Sequence, residues 1–246
     1  MNIKVSFIIP CFNSGKIIKN SIKKLEKKLE KKKIKFEIII INDGSKDKTY
    51  QIIKSLKKNN IKIINNSINL GKSSSIIKGI KLAKYEKVIL IDSDMPYFEC
   101  LDKLIRLLNK NDFVYINRRS KLSKLSDKSL NLYQTCRYYI GSLICSTINF
   151  LLLNKDIGDT QAGLKGFKKP KNFNRINFIS TKFFFDAELM IIFYRSKIKL
   201  KSISLKYKIY KESSIKIFAL ENFLFLVELI KVIFYYTFKK KNKITL

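Results

Sequence analysis

Short apolar runs alternate along the first 120 residues with longer segments whose apolar positions recur every three or four residues. Runs of the first kind predict buried β-strands, and the second pattern predicts amphipathic helices. We expect strands at residues 3–9, 36–43, 61–64, 87–92 and 112–118. We expect helices from Asn13 or Ser14 to about Lys32, from a cap at Asp47 to about Asn59, and over residues 101–110. Residues 69–85 favour a loop that enters a further helix.

This alternation predicts an α/β fold in which a mostly parallel central sheet is flanked by helices on both faces. In such sheets, ligands bind at the carboxyl ends of the strands. Three short polar turns, 11–14, 42–45 and 92–96, would all lie at that edge. We therefore predict a binding site formed by these three turns together.

The pattern changes after Arg119. Residues 156–167 contain three glycines and favour a loop, 183–196 favour a helix, and 199–210 alternate like a strand. No repeat or Pro-rich linker divides the chain. We predict a single α/β domain over residues 1–210, followed by a C-terminal amphipathic helix over residues 211–246.

Two apolar segments approach the length that crosses a membrane. Residues 138–154 are uncharged but fall short of the roughly 20 residues that a bilayer requires. Residues 217–238 are long enough but carry Glu221, Glu228 and Lys231 on one helical stripe. This pattern predicts an amphipathic helix that lies on a membrane or docks on the core, and no transmembrane helix.

The chain has 246 residues and a net charge of +32. Such a charge favours anionic partners, namely nucleic acid, an anionic membrane surface or phosphorylated substrates. Because 45 of the 51 basic residues are Lys, part of the charge reflects compositional bias. No nucleic-acid-binding motif is recognisable, so we expect no nucleic-acid partner. Four scattered Cys and no His argue against a zinc site and indicate reduced thiols.

Asp92 and Asp94 follow the apolar run of the fourth predicted strand. Carboxylates two positions apart in a turn can hold a hard divalent cation, which leaves coordination positions open for phosphate oxygens. A D-x-D pattern is weak by itself, because solvated turns often contain it. Its context decides whether it carries chemistry.

That context resembles the family 2 glycosyltransferases, which have the GT-A fold. The segments "SFIIPCFNSG", "FEIIIINDGSKDKT", "NLGKSSSIIKGIKLA" and "VILIDSDM" resemble four motifs of that family in the family's order. Farther on, "GDTQAGLKGF" and "FFFDAELM" resemble segments of the dolichyl-phosphate glucosyltransferase and polyprenyl-phosphate sugar synthase subfamily. The resemblance extends to about residue 210.

The resemblance implies a donor site for a nucleotide-diphosphate sugar. Pro10 and Asn13 would shape the first turn beside the nucleotide, and Asp43 would accept a hydrogen bond from the base. Lys72 would lie near the donor, and Asp92 would contact the ribose or base.

It also implies the residues that act on the phosphates and the sugar. Asp94 would bind the metal, Mg²⁺ or Mn²⁺, and Arg119 would lie near the phosphates. Asp159 and Gln161 would sit where the donor sugar meets the acceptor. Asp186 and Glu188 would orient the loop that carries Asp159 and Gln161, or would bind sugar hydroxyls.

Three departures from the family pattern limit what carries over. Asn42 stands where relatives often have a second acid, and Pro96 stands where mannose synthases often have Gln. The Q-x-x-R-W signature of processive synthases is absent, which disfavours polymer synthesis.

The absence of His bears on the acceptor. Attack by a hydroxyl normally requires a general base, whereas a phosphate monoester is already largely dianionic at neutral pH. We predict inverting, metal-dependent transfer to a polyprenyl phosphate by an enzyme held peripherally on the cytoplasmic face of the membrane. The alternative is a glycan or lipopolysaccharide hydroxyl acceptor. A homo-oligomer or a separate membrane partner stays open.

Overall fold

The computed structural model describes residues 3–125, 132–153, 155–182, 184–207 and 220–239. Seven strands form one sheet in the order β3-β2-β1-β4-β7-β5-β8, and β6 pairs with β9 in a second, two-stranded sheet. The strands are β1 (Lys4–Cys11), β2 (Lys35–Asp43), β3 (Ile61–Asn66), β4 (Lys87–Ile91), β5 (Phe113–Ile116), β6 (Lys124–Leu125), β7 (Leu164–Lys168), β8 (Leu200–Ile203) and β9 (Lys206–Tyr207).

The main sheet is mostly parallel, as predicted. Strands β3, β2, β1 and β4 run parallel to one another, and β5 runs parallel to β8. Strand β7 lies antiparallel between β4 and β5. The prediction of a loop over residues 156–167 is therefore wrong for its last part, because Leu164–Lys168 forms a strand between β4 and β5. Its residues show no alternation of apolar and polar positions that would have predicted a strand.

Seven helices cover the two faces of the sheet within the described part of the chain. They are α1 (Ile18–Lys31), α2 (Thr49–Lys54), α3 (Lys72–Leu82), α4 (Leu101–Leu108), α5 (Leu132–Ile148), α6 (Phe185–Arg195) and α7 (Leu220–Phe234). One face packs against α1, α2 and α4, and the other packs against α3, α6 and α7. Two-sided burial explains why strands such as residues 38–41 are continuously apolar.

Helix starts and ends differ from the predictions. Neither Asn13 nor Ser14 caps α1 with its side chain; Asn13 instead bonds the neighbouring turn. The predicted cap at Asp47 is also wrong: Asp47 accepts the N–H of Thr49, the first residue of α2, but Lys48 occupies the cap position and the helix has no side-chain cap. That helix stops at Lys54, short of Asn59. The alternating segment 199–210 forms two strands, β8 and β9, and its residues 208–210 lie outside the described residues.

Helix α7 docks on the core with a different face from the one its charges predict. Glu228 is buried on the inner face beside Leu229 and Val232, whereas Lys231 is exposed. The predicted single charged stripe is therefore wrong at Glu228, because that carboxylate bonds backbone groups of the domain. The domain boundary predicted at residue 210 lies outside the described residues.

Helix α5 continues through a π-helical turn, Asn149–Leu153, into 22 helical residues. By length and composition alone, Leu132–Leu153 could cross a membrane, and 29% of its most apolar window is buried inside the protein. A core helix would pass the same length and composition test. The helix is therefore longer than the uncharged run 138–154, because it begins at Leu132.

The topological switch point lies between β1 and β4. The pairing of β1 with β4 ends at Ile8, whereas the pairing of β1 with β2 continues to Cys11. Pro10 lies in the part of β1 that has left β4, where its missing N–H costs no ladder bond on that side. The sheet thus opens a crevice at the carboxyl end of these two strands, which is where ligands bind in such folds.

Candidate active site

The three predicted turns interlock at this crevice. The Asn13 N–H donates to Ser45 Oγ (2.9 Å), and Asn13 Oδ1 accepts the Lys46 N–H (2.9 Å). The hydroxyl oxygens of Ser14 and Ser93 lie 3.0 Å apart. The first turn therefore joins the second and the fourth-strand turns into one surface, as the sequence predicted.

The turn after β4 has an unusual backbone. Met95 and Tyr97 have φ of 52° and 59°, in the left-handed region that non-glycine residues rarely adopt. The Met95 N–H closes the turn on Asp92 O at 2.9 Å. A Cβ on Gly163 would lie 2.2 Å from Asp92 Oδ2, so only glycine leaves room for this carboxylate. Such strain is typical of functional sites.

Asp43 is buried at the end of β2 and only one of its oxygens is engaged. Oδ1 accepts the Leu70 N–H (2.9 Å) and the Asn66 Nδ2 amide (3.0 Å). No hydrogen bond reaches Oδ2 from the residues that the structure describes. Asp43 is therefore fixed in position with a free acceptor.

A network of carboxylates and ammonium groups lies beside the crevice. Lys72 Nζ is 2.7 Å from Asp92 Oδ1 and 3.5 Å from Asp186 Oδ2, and Lys165 Nζ is 2.8 Å from Asp186 Oδ1. Lys165 is fully buried. Burial alone would raise the pKa of Asp186, but Lys165 and Lys72 outweigh burial and lower it. Asp186 is thus ionised, and both Asp92 and Asp186 are already paired with ammonium groups.

Asp94 is the carboxylate that remains open. Its side chain is exposed, and no other described residue forms a hydrogen bond or ion pair with it. Desolvation, and next the charge of Asp92, raise the pKa of Asp94. With Asp94, the network has three carboxylates and two ammonium groups, so a divalent cation would relieve the repulsion between Asp92 and Asp94.

These residues fit a cation that is completed by its ligand. The described part of the chain holds no group of three or more Asp, Glu, Cys or His side chains that could coordinate a metal alone. Hard cations bound by one or two carboxylates take their remaining ligands from phosphates and water. The site therefore suits a cation that arrives with a diphosphate.

Asp159 is fully buried and held by arginines. Arg118 grips it through Nε and through Nη2 (2.9 Å), and Arg119 Nη1 lies 3.4 Å away. Its Oδ1 also accepts the Gln161 N–H at 3.0 Å. Burial would raise the pKa of Asp159, but the two arginines outweigh burial and lower it to about 2. A carboxylate so committed cannot serve as a general base.

Gln161 carries a buried amide donor, Nε2, with no hydrogen-bond partner in the described part of the chain. Leaving such a donor unsatisfied costs about 1–3 kcal/mol. An oxygen of a bound substrate would satisfy it.

The pKa of Asp159 makes stability depend on pH at the acid end. A lowered pKa contributes stability above the unfolded value of 3.8, and this contribution is lost as pH falls towards about 2. We expect wild-type protein to lose about 2 kcal/mol of unfolding free energy by this route between about pH 5 and pH 2, relative to Asp159→Asn. Urea unfolding followed by circular dichroism at both pH values measures the difference, and parallel pH dependence in both proteins would contradict it.

The structure also shows site residues that the sequence did not single out. Arg118 Nη1 donates to the Tyr97 hydroxyl (3.3 Å), so Arg118 links Asp159 to the turn that carries Asp94. Arg119, the residue selected by motif, contacts Asp159 as well and also lines a cavity of about 790 Å³ with Tyr115 and Asn117. Arg118 and Arg119 are adjacent in "NRR", and only side-chain direction separates them.

The open sheet, with its carboxylate-lined switch point, defines an α/β enzyme of the GT-A type. The chain belongs to glycosyl transferase family 2, whose model matches residues 6–198. It is 29% identical over 228 residues to a dolichyl-phosphate beta-glucosyltransferase of Trichomonas vaginalis, covering 87% of this chain and 68% of that protein.

A relative from a different branch of the family matches a shorter part of the chain. A poly-beta-1,6-N-acetyl-D-glucosamine synthase of Staphylococcus epidermidis is 37% identical over 91 residues, covering 37% of this chain and 21% of that protein. Among solved structures, glucosyl-3-phosphoglycerate synthase of Mycobacterium tuberculosis, in complex with Mn²⁺, UDP and phosphoglyceric acid, matches with a TM-score of 0.68. That match covers 96% of this chain and 78% of the other at 13% identity, and it shows the shared fold.

Proposed function

We propose that this glycosyltransferase moves a sugar, with inversion, from a nucleotide-diphosphate sugar to a polyprenyl phosphate, with Mg²⁺ or Mn²⁺ as cofactor. The observation that carries the proposal is the convergence of Asp43, Lys72, Asp92 and Asp94 on one crevice at the switch point of the sheet. Family membership supplies the class of reaction.

The donor's nucleotide would lie between the first and second turns. Pro10 and Asn13 shape this part of the crevice, and Asp43 Oδ2 would accept a base N–H. Asp92, held by Lys72, would contact the ribose. Because these groups are fixed before the donor arrives, binding would cost little side-chain entropy.

Asp94 would hold the metal ion, with Asp92 close behind it. When bound, the cation would neutralise the nucleoside diphosphate as it leaves the sugar. The protein's own task is to keep the two carboxylates together in the strained turn, with Lys72 limiting their repulsion.

The acceptor phosphate would enter on the side of Asp159 and Gln161. The arginine pair supplies positive charge there, and the free Gln161 Nε2 donor would bind a phosphate or sugar oxygen. Asp159 would position Arg118 and Arg119 rather than take a proton. A dianionic phosphate needs no base, which agrees with a site that contains no His and whose nearest buried acid is fully committed.

Some relatives support a lipid-phosphate acceptor, and others support the alternative, a hydroxyl acceptor. The Trichomonas relatives are named for dolichyl phosphate, and their alignment over most of this chain favours a lipid phosphate here. The match to glycan synthases over 91 residues favours the second candidate, a hydroxyl acceptor on a glycan or lipopolysaccharide.

Exposed apolar side chains suggest where the lipid would be met. Ile230, Phe234 and Phe238 recur on the outer face of α7 and its π-helical extension, Tyr235–Lys239. Leu143 and Phe150 are exposed on α5 and its extension. Arg195 joins the two extensions by donating to Leu152 O and Tyr236 O. We propose that this surface rests on the cytoplasmic face of a membrane, aided by the net positive charge.

Incubation of purified protein with UDP-glucose, Mn²⁺ and a short polyprenyl phosphate tests the proposal. We expect a lipid-linked sugar product whose formation stops with excess chelator and resumes when Mn²⁺ is restored. Parallel reactions with other nucleotide sugars, and with a glycan acceptor in place of the lipid, identify the donor and acceptor. Transfer to the glycan alone would replace the lipid proposal with the alternative, and no binding of any nucleoside diphosphate would reject both.

A further inference from the structure

Residues 179–182 are held from two directions by buried glutamates. Glu188, on α6, accepts the N–H groups of Ile179 and Ser180 at 2.9 Å each. Glu228, on α7, accepts those of Thr181 (2.5 Å) and Lys182 (2.8 Å). Hydrogen bonds from backbone N–H groups to a carboxylate are stronger than neutral ones, so four successive residues are fixed by two side chains.

The second half of this segment packs against the start of α3. The Lys182 carbonyl accepts the Ser73 N–H at 3.1 Å. Gly71 has a φ of 90°, and a Cβ there would lie 2.4 Å from Thr181 O. This close backbone approach requires glycine at position 71 and holds the two segments in one relative position.

Lys72 lies between these two contacts. Its backbone is fixed by Gly71 before it and by the Ser73 bond after it, and its Nζ bridges Asp92 and Asp186. Those ion pairs also depend on where α3 begins. The position of the Lys72 ammonium group therefore follows the position of residues 181–182.

Helix α7 and its extension contact residues 179–182 through both glutamates, Glu228 directly and Glu188 by way of Tyr236. Besides contributing Glu228, the chain that extends α7 carries Tyr236, whose hydroxyl donates to Glu188 Oε1 at 2.8 Å. Tyr236 is fully buried. The C-terminal helix is thus connected by hydrogen bonds to the donor crevice through one short backbone segment.

We propose that Glu228 is a positioning residue for the donor site, acting through residues 181–182 and the start of α3 on Lys72. The inference rests on the proposed donor site and assigns part of that site's support to the C-terminal helix. Loss of the Glu228 carboxylate frees two N–H groups, loosens the contact with Gly71 and Ser73, and lets the Lys72 ammonium group leave Asp92.

Calorimetric titration of UDP in the presence of Mn²⁺, at a temperature well below unfolding, tests this role. We expect Glu228→Ala to weaken UDP binding about tenfold and Glu228→Gln about threefold, because a neutral amide oxygen accepts more weakly than a carboxylate. Lys231→Ala, on the exposed face of the same helix, is the matched control and should bind UDP like wild type.

A double-mutant cycle with Lys72→Met separates positioning from general damage. If Glu228 acts through Lys72, Glu228→Ala should add less than about twofold to the weakening already caused by Lys72→Met. Should Glu228→Ala prove unstable, Glu228→Gln completes the same cycle. Additive effects on UDP affinity, or unchanged affinity in both Glu228 variants, would overturn the inference.

Steady-state kinetics give a second readout. Glu228→Gln should raise the KM for the sugar nucleotide and leave the KM for the acceptor unchanged, whereas a merely destabilised protein would lose active molecules without that split. If wild-type protein binds no nucleoside diphosphate, the proposed function itself fails. If wild type binds and the Glu228 variants match it, only the positioning role fails.

Discussion

Replacement of Asp94 by alanine is expected to reduce sugar transfer by about 10³-fold or more, because a cation that neutralises the leaving diphosphate supplies several kcal/mol of transition-state stabilisation. The side chain is exposed and bonds no other described residue. The free energy of unfolding should therefore change by less than about 0.5 kcal/mol. Product formation under saturating donor and Mn²⁺, together with urea unfolding, measures both quantities.

Asp102→Ala provides the control for this variant. Asp102 is a partly exposed carboxylate on α4, where it pairs with Lys28 and Lys32 away from the crevice. Its removal should leave transfer unchanged. Wild-type rates in Asp94→Ala, or undiminished rates of wild-type protein in excess chelator, would show that the metal role is wrong.

Replacement of Asp159 by asparagine is expected to destabilise the fold by about 3–5 kcal/mol at neutral pH, because it leaves the largely buried guanidinium groups of Arg118 and Arg119 without their counterion. Asp159 is fully buried, and its ion pair with Arg118 is bidentate. Transfer by the folded fraction should also fall, since Arg118 would no longer be held beside Tyr97. Urea unfolding and rates corrected for the folded fraction test the two effects separately.

A paired substitution identifies the cause of that loss. Asp159→Asn combined with Arg118→Met removes both charges of the bidentate pair and should recover part of the lost stability, because only Arg119 then remains without its counterion. Transfer should stay low in the double variant. Equal destabilisation in the single and double variants would show that the ion pair is not the source.

Local patterns were enough to predict the sheet and the place of the site. Strands β2, β4 and β5 each contain an uninterrupted run of four apolar residues, and such runs predict buried strands from the sequence alone. The turns that follow β1, β2 and β4 are polar, and parallel strands necessarily bring such turns to one edge. The carboxylates at positions 43, 92 and 94 were therefore found from sequence spacing and motif resemblance together.

Pairings between distant residues were not predictable in this way. Strand β7 inserts antiparallel between β4 and β5, a choice made by sheet topology and not by its own residues. The partner of Asp159 is Arg118, 41 positions earlier, and the partners of Glu228 lie 46 and 47 positions before it. The position of a charged residue in the sequence does not indicate which residue it will pair with in the folded protein.

By itself, the sequence determined which segments are buried, which turns are polar and where acidic groups follow strands, because these properties depend on neighbours along the chain. Only the tertiary structure decided that Asp94 is left open while Asp92, Asp159 and Asp186 are paired with cations. It also decided that Glu228 turns inward while Lys231 faces solvent. The physical reason is that the partner of each buried charge comes from a segment brought near by folding.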